Sequence, residues 1–312
     1  MPLKVHPDIA SLVPYVPGKP IEELQRELGL PRAIKLASNE NPIGPSPKAL
    51  AVLGETAPTL HRYPDGGAFR LRGALAERWK VTPDHVILGN GSDEILGLLA
   101  RTFLSPGDEA VMAEHTFVIY KMEVKAAHGG AVEVPQKNWR HDLPAMAAAI
   151  TDKTRLLFGE TLGNPGLDVL DIPRVAALAH DHGLPLLVDS TFTTPWLMRP
   201  FEHGADIVFH SATKFLSGHG VVIGGLVVDG GTFDWECRGT ARAGPCAGGR
   251  DVAFPEESTT AACLLRARRE GLRDFGACMA PTTAWQVLQG IETLPVRMEK
   301  HVSNARRIVA FL

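Results

Sequence analysis

Short apolar runs, each closed by glycine, proline or a polar turn, recur along most of this chain at intervals that leave room for a helix between them. Runs at 86–88, 109–112, 131–134, 155–158, 185–188, 206–209 and 221–228 are the right length for buried strands. Helical spacing fills the gaps. Phe69, Leu71, Leu75 and Trp79 begin a helix that Val81-Thr82-Pro83 stops; a second opens at Ser92 and runs through Leu104, and a third spans 172–182 before Gly183. This alternation predicts an α/β fold, with a mainly parallel sheet covered by helices on both faces.

The ends of the chain read differently. The first forty-odd residues, rich in proline and polar groups, predict an extended arm over 1–48 ahead of a large domain over 49–235. The stretch 237–250 holds no large apolar residue and no periodicity, which predicts a disordered loop. Within the remaining region, 236–312, helices are expected at 259–271, 282–290 and from Met298 to the end. The last residues fall inside a helical pattern without a terminator, as though a small C-terminal domain were cut short.

At 312 residues the chain can hold roughly two domains of about 150 residues, or one large domain with an appendage. It is 45% hydrophobic and 21% charged with a formal charge of -3, which argues against nucleic acid or an acidic membrane as a partner. No apolar run approaches the ~18 residues of a membrane span, and the first residues carry no signal core, so a cytoplasmic protein is expected. Four cysteines lack a CxxC pair and read as free thiols; the twelve histidines form no HExxH pair, and no metal is assigned.

Chemistry concentrates where strands end. Lys214 closes the run Ile207-Val208-Phe209-His210-Ser211-Ala212-Thr213-Lys214, and Asp189 closes Leu186-Leu187-Val188-Asp189. Singly, each reads as a solvated loop charge or a cap. Together, beyond the carboxyl ends of strands where open α/β sheets bind ligands, an amine, a carboxylate and two nearby hydroxyls are the parts that hold pyridoxal 5'-phosphate. Lys214 is the expected Schiff-base residue and Asp189 the partner of the ring nitrogen. The turn Gly89-Asn90-Gly91-Ser92-Asp93 offers free N–H groups at a helix start, which suit a phosphate, with Ser211 and Thr213 adding hydroxyls. Tyr120 reads either as a lid over the cofactor ring or as a core tyrosine. Asn164 reads as a donor to the ring hydroxyl or a turn former, and Thr191 as a ring contact or an ordinary strand-end threonine.

These residues resemble fold type I pyridoxal-phosphate enzymes, and the two halves resemble different families. From the N-terminus to about Thr151 the chain is similar to histidinol-phosphate aminotransferase, on Pro14-Tyr15-Val16-Pro17-Gly18-Lys19-Pro20, Leu36-Ala37-Ser38-Asn39-Glu40-Asn41-Pro42, Arg62-Tyr63-Pro64-Asp65, Gly89-Asn90-Gly91-Ser92-Asp93-Glu94 and Asn138-Trp139-Arg140-His141-Asp142-Leu143. From about Arg155 it is similar to O-acetylhomoserine sulfhydrylase of the Cys/Met-metabolism family, on Glu160-Thr161-Leu162-Gly163-Asn164-Pro165, Val188-Asp189-Ser190-Thr191-Phe192, Ser211-Ala212-Thr213-Lys214-Phe215-Leu216-Ser217-Gly218-His219 and Arg266-Ala267-Arg268-Arg269-Glu270-Gly271. The switch falls at a helix-to-strand joint near 150–156, where a crossover would preserve the sheet, so a chimeric chain is expected.

The resemblance implies an aspartate-aminotransferase-like large domain with a truncated C-terminal small domain. It implies a homodimer or homotetramer with a shared active site, in which Tyr63 reaches the phosphate of a neighbouring subunit. The implied activity is γ-replacement on O-acetylhomoserine, in methionine biosynthesis. The alternatives are amino transfer from histidinol phosphate to 2-oxoglutarate, in histidine biosynthesis, and a cofactor-binding but inactive protein. Substrate-binding arginines that both families carry near their C-termini have no counterpart here.

Overall fold

The computed structural model describes residues 6–13, 18–35, 47, 50, 51, 58, 62, 65–235, 262–268, 272 and 276–312. Seven strands form one sheet: β1 Val86–Gly89, β2 Glu109–Ala113, β3 Gly130–Val134, β4 Thr154–Glu160, β5 Leu186–Asp189, β6 Ile207–Ser211 and β7 Gly225–Asp229, in the spatial order β1-β7-β6-β5-β4-β2-β3. β3, β2, β4, β5 and β6 pair in parallel, while β7 runs antiparallel to both β6 and β1. Two reversals in succession leave β1 pointing the same way as β6. The carboxyl ends of β1, β4, β5 and β6 therefore open on one rim.

The strands are apolar at nearly every position because helices cover both faces. Along β4, Leu156 and Phe158 join one buried cluster with Ile95, Leu96, Leu99, Phe103 and Val124 of the helices Ser92–Phe103 and Ile119–Ala126. Leu157, between them, faces the other way into a cluster with Met146, Ile172, Val175 and Ala179. Successive strand residues point to opposite faces, so this alternation is the pleat itself. Each fully buried aliphatic or aromatic side chain here contributes about 1.5–3 kcal/mol.

A third cluster sits over the β1–β7 edge, where Leu71 and Leu75 of the helix Phe69–Trp79 meet Val287, Ile291, Leu294 and Met298. Those last four lie on one helix, Pro281–Phe311, and not on the two separate helices the sequence predicts. Pro295 lacks the N–H of an interior turn, a cost of about 3 kcal/mol in a helix. The apolar stripe nevertheless continues across it at spacings of four, three and four, and packing of that stripe holds both halves in register.

Two further differences have local causes. The segment expected to be an extended arm contains helices at Pro7–Ala10 and Ile21–Leu28, the latter with Glu22 and Glu23 at its positive end and Gly29 as a left-handed cap at φ 62°. β7 starts at Gly225 and not at Val221, because the N–H and C=O of Gly224 are both taken by the Thr213 hydroxyl. Within the helix expected over 259–271, Ala262–Arg266 is helical, and 259–261 and 269–271 lie outside the described residues. The loop expected at 237–250 lies outside the described residues.

Candidate functional site

A cavity of about 750 Å3 opens on the rim where β1, β4, β5 and β6 end, lined by Gly91, Ser92, Asp93, Phe117, Glu160, Asn164, Asp189, Thr191, Ser211, Thr213 and Lys214 among others. Nine of these residues are the ones sequence reasoning selects; Phe117 and Glu160 are not. The two halves of the chain both contribute walls.

The Gly91 end is built by backbone constraint. Gly91 caps the helix Ser92–Phe103 at φ 96°, a conformation side-chain-bearing residues rarely adopt, and Ser92 and Asp93 follow as its first turn. The Gly91 carbonyl lies so close to Gly225 that any Cβ on Gly225 would overlap it. The N–H groups of that first turn face the cavity with the positive end of the helix dipole. Ser92 Oγ donates to Asp93 Oδ1 at 3.4 Å. Burial holds the Asp93 carboxyl above its ordinary range, while Ser92 and the charge of Lys214 pull it back, which places the lysine within electrostatic reach of this turn.

Lys214 stands in the tight turn that follows β6. Its carbonyl accepts from Gly218 N–H at 2.9 Å, and Ser217 Oγ donates to the Thr213 carbonyl at 3.1 Å. The helix Pro281–Phe311 presses on this turn from behind: Gly290 approaches the carbonyls of Leu216 and Ser217 closely enough that a Cβ would collide with both. The buttressed turn fixes the backbone position from which the Lys214 side chain reaches the cavity.

Opposite, Asp189 ends β5 with its carboxylate half-buried at the cavity wall. Oδ1 accepts from Thr191 N–H at 2.8 Å and Oδ2 from the Tyr120 hydroxyl at 2.9 Å. Burial raises its pKa above the usual carboxylate range, although those hydrogen bonds oppose the shift. Thr191 Oγ1 accepts from Ser211 N–H at 2.8 Å, so β5 and β6 are tied together at the cavity floor.

Glu160 is the buried group that sequence reasoning passes over. It pairs in register with Asp189 on the neighbouring strand, and its carboxyl accepts from Phe117 N–H through Oε1 at 2.8 Å and from Asn164 N–H through Oε2 at 2.6 Å. One side chain thus fixes two cavity walls, one from each half of the chain. Burial, then the charge of Asp189, pushes its pKa up to about 8. A buried acid at the end of a parallel strand, beside a strand that also ends in an acid, is the signal that marks it.

Two expected roles come out differently in detail. Tyr120 does not face the cavity: it is 1% exposed, its ring stacks on Phe158 at 5.4 Å, and its hydroxyl supports Asp189 from beneath. Phe117, three residues earlier, supplies the aromatic wall, with its ring edge-on to Tyr120 at 6.0 Å. The Thr213 hydroxyl lines the cavity but is engaged by Gly224, donating to its carbonyl at 3.2 Å and accepting from its N–H at 3.0 Å. Tyr63 lies outside the described residues.

The donor set suits pyridoxal phosphate. A half-buried carboxylate that lines the cavity and whose charge is disfavoured by desolvation calls for a cationic N–H such as a protonated pyridine nitrogen. The helix start at Gly91 and the hydroxyls of Ser92 and Ser211 suit a phosphate, Phe117 an aromatic ring, and Lys214 an aldehyde.

The family of Cys/Met metabolism PLP-dependent enzymes matches residues 95–312. Histidinol-phosphate aminotransferase of Moorella thermoacetica is 54% identical over 157 residues, covering 50% of this chain and 41% of that protein. O-acetyl-L-homoserine sulfhydrylase of Leptospira meyeri is 47% identical over 173 residues, covering 53% of this chain and 39% of that protein. The chain therefore spans about two fifths of the length of each relative. Among solved structures, a putative O-acetylhomoserine (thiol)-lyase from Campylobacter jejuni subsp. jejuni, carrying N'-pyridoxyl-lysine-5'-monophosphate, superposes with a TM-score of 0.70 at 23% identity over 89% of this chain and 70% of that one. Cystathionine gamma-lyase from Lactobacillus plantarum gives a TM-score of 0.59 at 27% identity over 79% and 56%. The first shows the shared fold; the second is the likeness of a part. With a match over more than two thirds of its length and a rim that suits the cofactor, the chain belongs to the Cys/Met metabolism PLP-dependent enzyme family.

Proposed function

We propose that the protein catalyses γ-replacement on O-acetylhomoserine, in which acetate leaves the γ-carbon and sulfide or a thiol takes its place. The observation that carries this reading is the convergence of Lys214 and Asp189 on one cavity, both from the half that resembles the sulfhydrylase. When bound, pyridoxal phosphate supplies an electron sink for the substrate α-carbon. Asp189 holds a proton on the ring nitrogen, with Tyr120 and Thr191 fixing the carboxylate's orientation. The helix start at Gly91, with Ser92 and Ser211, would hold the phosphate, and Asn164 would bond the ring hydroxyl. Phe117, lining the same cavity, would shield the ring from water. The Lys214 amine takes the α-proton and carries protons between α-, β- and γ-carbons, a general-base role for an amine on a fixed turn.

A second reading, amino transfer from histidinol phosphate to 2-oxoglutarate, is favoured by the 54% identity of the aminotransferase match, which brings in the Gly91-Ser92-Asp93 turn. Both readings extend to a dimer with a shared site. The two are separated by assaying the cofactor-loaded protein with O-acetylhomoserine plus sulfide, and separately with histidinol phosphate plus 2-oxoglutarate. Thiol-containing product from the first pair alone supports γ-replacement, and turnover of the second pair alone overturns it.

A further inference from the structure

The fold brings together a group of side chains, remote from the cofactor cavity, that no motif in the linear sequence announces. His6 and Asp8 belong to the N-terminal segment, whose helix Pro7–Ala10 lies against the helix Ile119–Ala126, and His128 follows the end of that second helix. His6 Nδ1 and His128 Nδ1 both approach the same oxygen, Asp8 Oδ2, at 3.3 Å and 3.1 Å. The two imidazole rings stand with centroids 4.0 Å apart, and the three ligand atoms all lie within 4.8 Å of one another.

We propose that His6, Asp8 and His128 form a binding site for a divalent transition-metal ion of the zinc type, which fastens the N-terminal segment to the end of the helix Ile119–Ala126. The ligand chemistry is that of two imidazoles and one carboxylate, the borderline nitrogen and oxygen set that such ions take. The spacing fits. With metal–ligand bonds of about 2.0–2.2 Å, neighbouring ligand atoms around a tetrahedral or octahedral ion stand roughly 3.0–3.5 Å apart. Two edges already fall there, and the third is no longer than 4.8 Å. Side-chain exposures of 53%, 44% and 35% for His6, Asp8 and His128 leave room for water to complete the coordination.

An ion pair alone explains less of the arrangement. One imidazolium neutralises one carboxylate, and an exposed pair of that kind contributes about 0–1 kcal/mol; the second imidazole, tilted at 51° to the first, adds only the long helix-capping contact of His6 Nδ1 with Asp8 N–H at 3.4 Å. His128 also sits at φ 62°, in the left-handed region, which turns the chain back after the helix and brings its ring over Asp8. A metal ion uses all three groups at once. It would also give a segment with few buried side chains a fixed anchor, since an ion that binds only the folded arrangement stabilises it by mass action.

The test uses the full-length, cofactor-loaded protein, stripped with a chelator and titrated with Zn2+ by calorimetry and in thermal melts. A single Zn2+ per chain, a raised melting temperature, and a loss of affinity of at least about tenfold in each of His6→Ala, His128→Ala and Asp8→Asn are expected. Co2+ titration in place of Zn2+ gives visible absorption that the paired His6→Ala/His128→Ala substitution abolishes. Absence of Zn2+ binding by the unsubstituted chain, or equal binding by the paired substitution, overturns the proposal. Because these residues lie outside the cofactor cavity, the visible absorbance of bound pyridoxal phosphate serves as a check that each variant is folded.

Discussion

Glu160 and Asp189 end adjacent parallel strands in register, a buried and a half-buried carboxyl side by side with the Tyr120 hydroxyl bonded to the second. Two acids cannot both carry charge cheaply in that position. Asp189, exposed to whatever cation enters the cavity, is the one suited to ionise, and Glu160 the one to stay neutral. Its proton has a measurable consequence. The pKa is raised from 4.5 to about 8 on folding, so between those values the folded chain keeps a proton that the unfolded chain releases. The contribution of Glu160 to stability is then complete below about 4.5 and is lost as pH rises through about 8. Denaturant unfolding of the cofactor-free protein between those limits should show stability falling with pH, and Glu160→Gln should flatten that slope. An unchanged slope in the variant contradicts the assignment.

Glu160→Gln also loses one acceptor. The amide oxygen can accept from Phe117 or Asn164 N–H but its nitrogen cannot, which leaves a buried donor unpaired at a cost of about 1–3 kcal/mol. Cofactor affinity should fall with stability, since both walls of the cavity are affected. A control at Glu133, exposed and paired with Lys121, should change neither.

Tyr120→Phe keeps the ring that stacks on Phe158 and removes only the hydroxyl. The lost hydrogen bond is to a carboxylate, so a decrease of about 1.5–3 kcal/mol in unfolding free energy is expected, together with weaker cofactor binding. If Tyr120 instead lay over the cofactor as a lid, stability would be unaffected. Chemical denaturation distinguishes the two.

Much of this was legible in the chain and some was not, for reasons that lie in particular residues. Every strand is foreshadowed because each is a short apolar run bounded by turn residues, and Lys214 and Asp189 stand out because charges at strand ends are conspicuous. The helical side of the site is harder to read. Phe117 lies just before the helix Ile119–Ala126 and Tyr120 in its first turn, and only the packing against Phe158 and Phe209 decides which ring goes inward. Glu160 depends on strand register, and Thr213's engagement by Gly224 on a loop closure, neither of which has a local signature. Pro295 illustrates the converse, a strong local stop signal overridden by an apolar stripe that packs along its whole length.

Gly225→Ala tests the phosphate end of the cavity. The added methyl would overlap the Gly91 carbonyl and push the helix start away, with an expected loss of about 1–3 kcal/mol and release of cofactor on dialysis. Gly66→Ala, where nothing lies within 4 Å of the new atom, should behave as the unsubstituted protein. Equal cofactor retention by both variants would mean that the turn at Gly91 holds no phosphate.

Lys214→Ala should lower any turnover by at least about 10²–10⁴-fold, the range for removal of a positioned general base, without unfolding the chain. The most direct test of the whole account is covalent: borohydride reduction of the cofactor-loaded protein, followed by proteolysis and mass mapping. The account predicts a pyridoxyl group on the peptide that contains Lys214, and its loss in Lys214→Ala. A label confined to another lysine, or none at all, would contradict it.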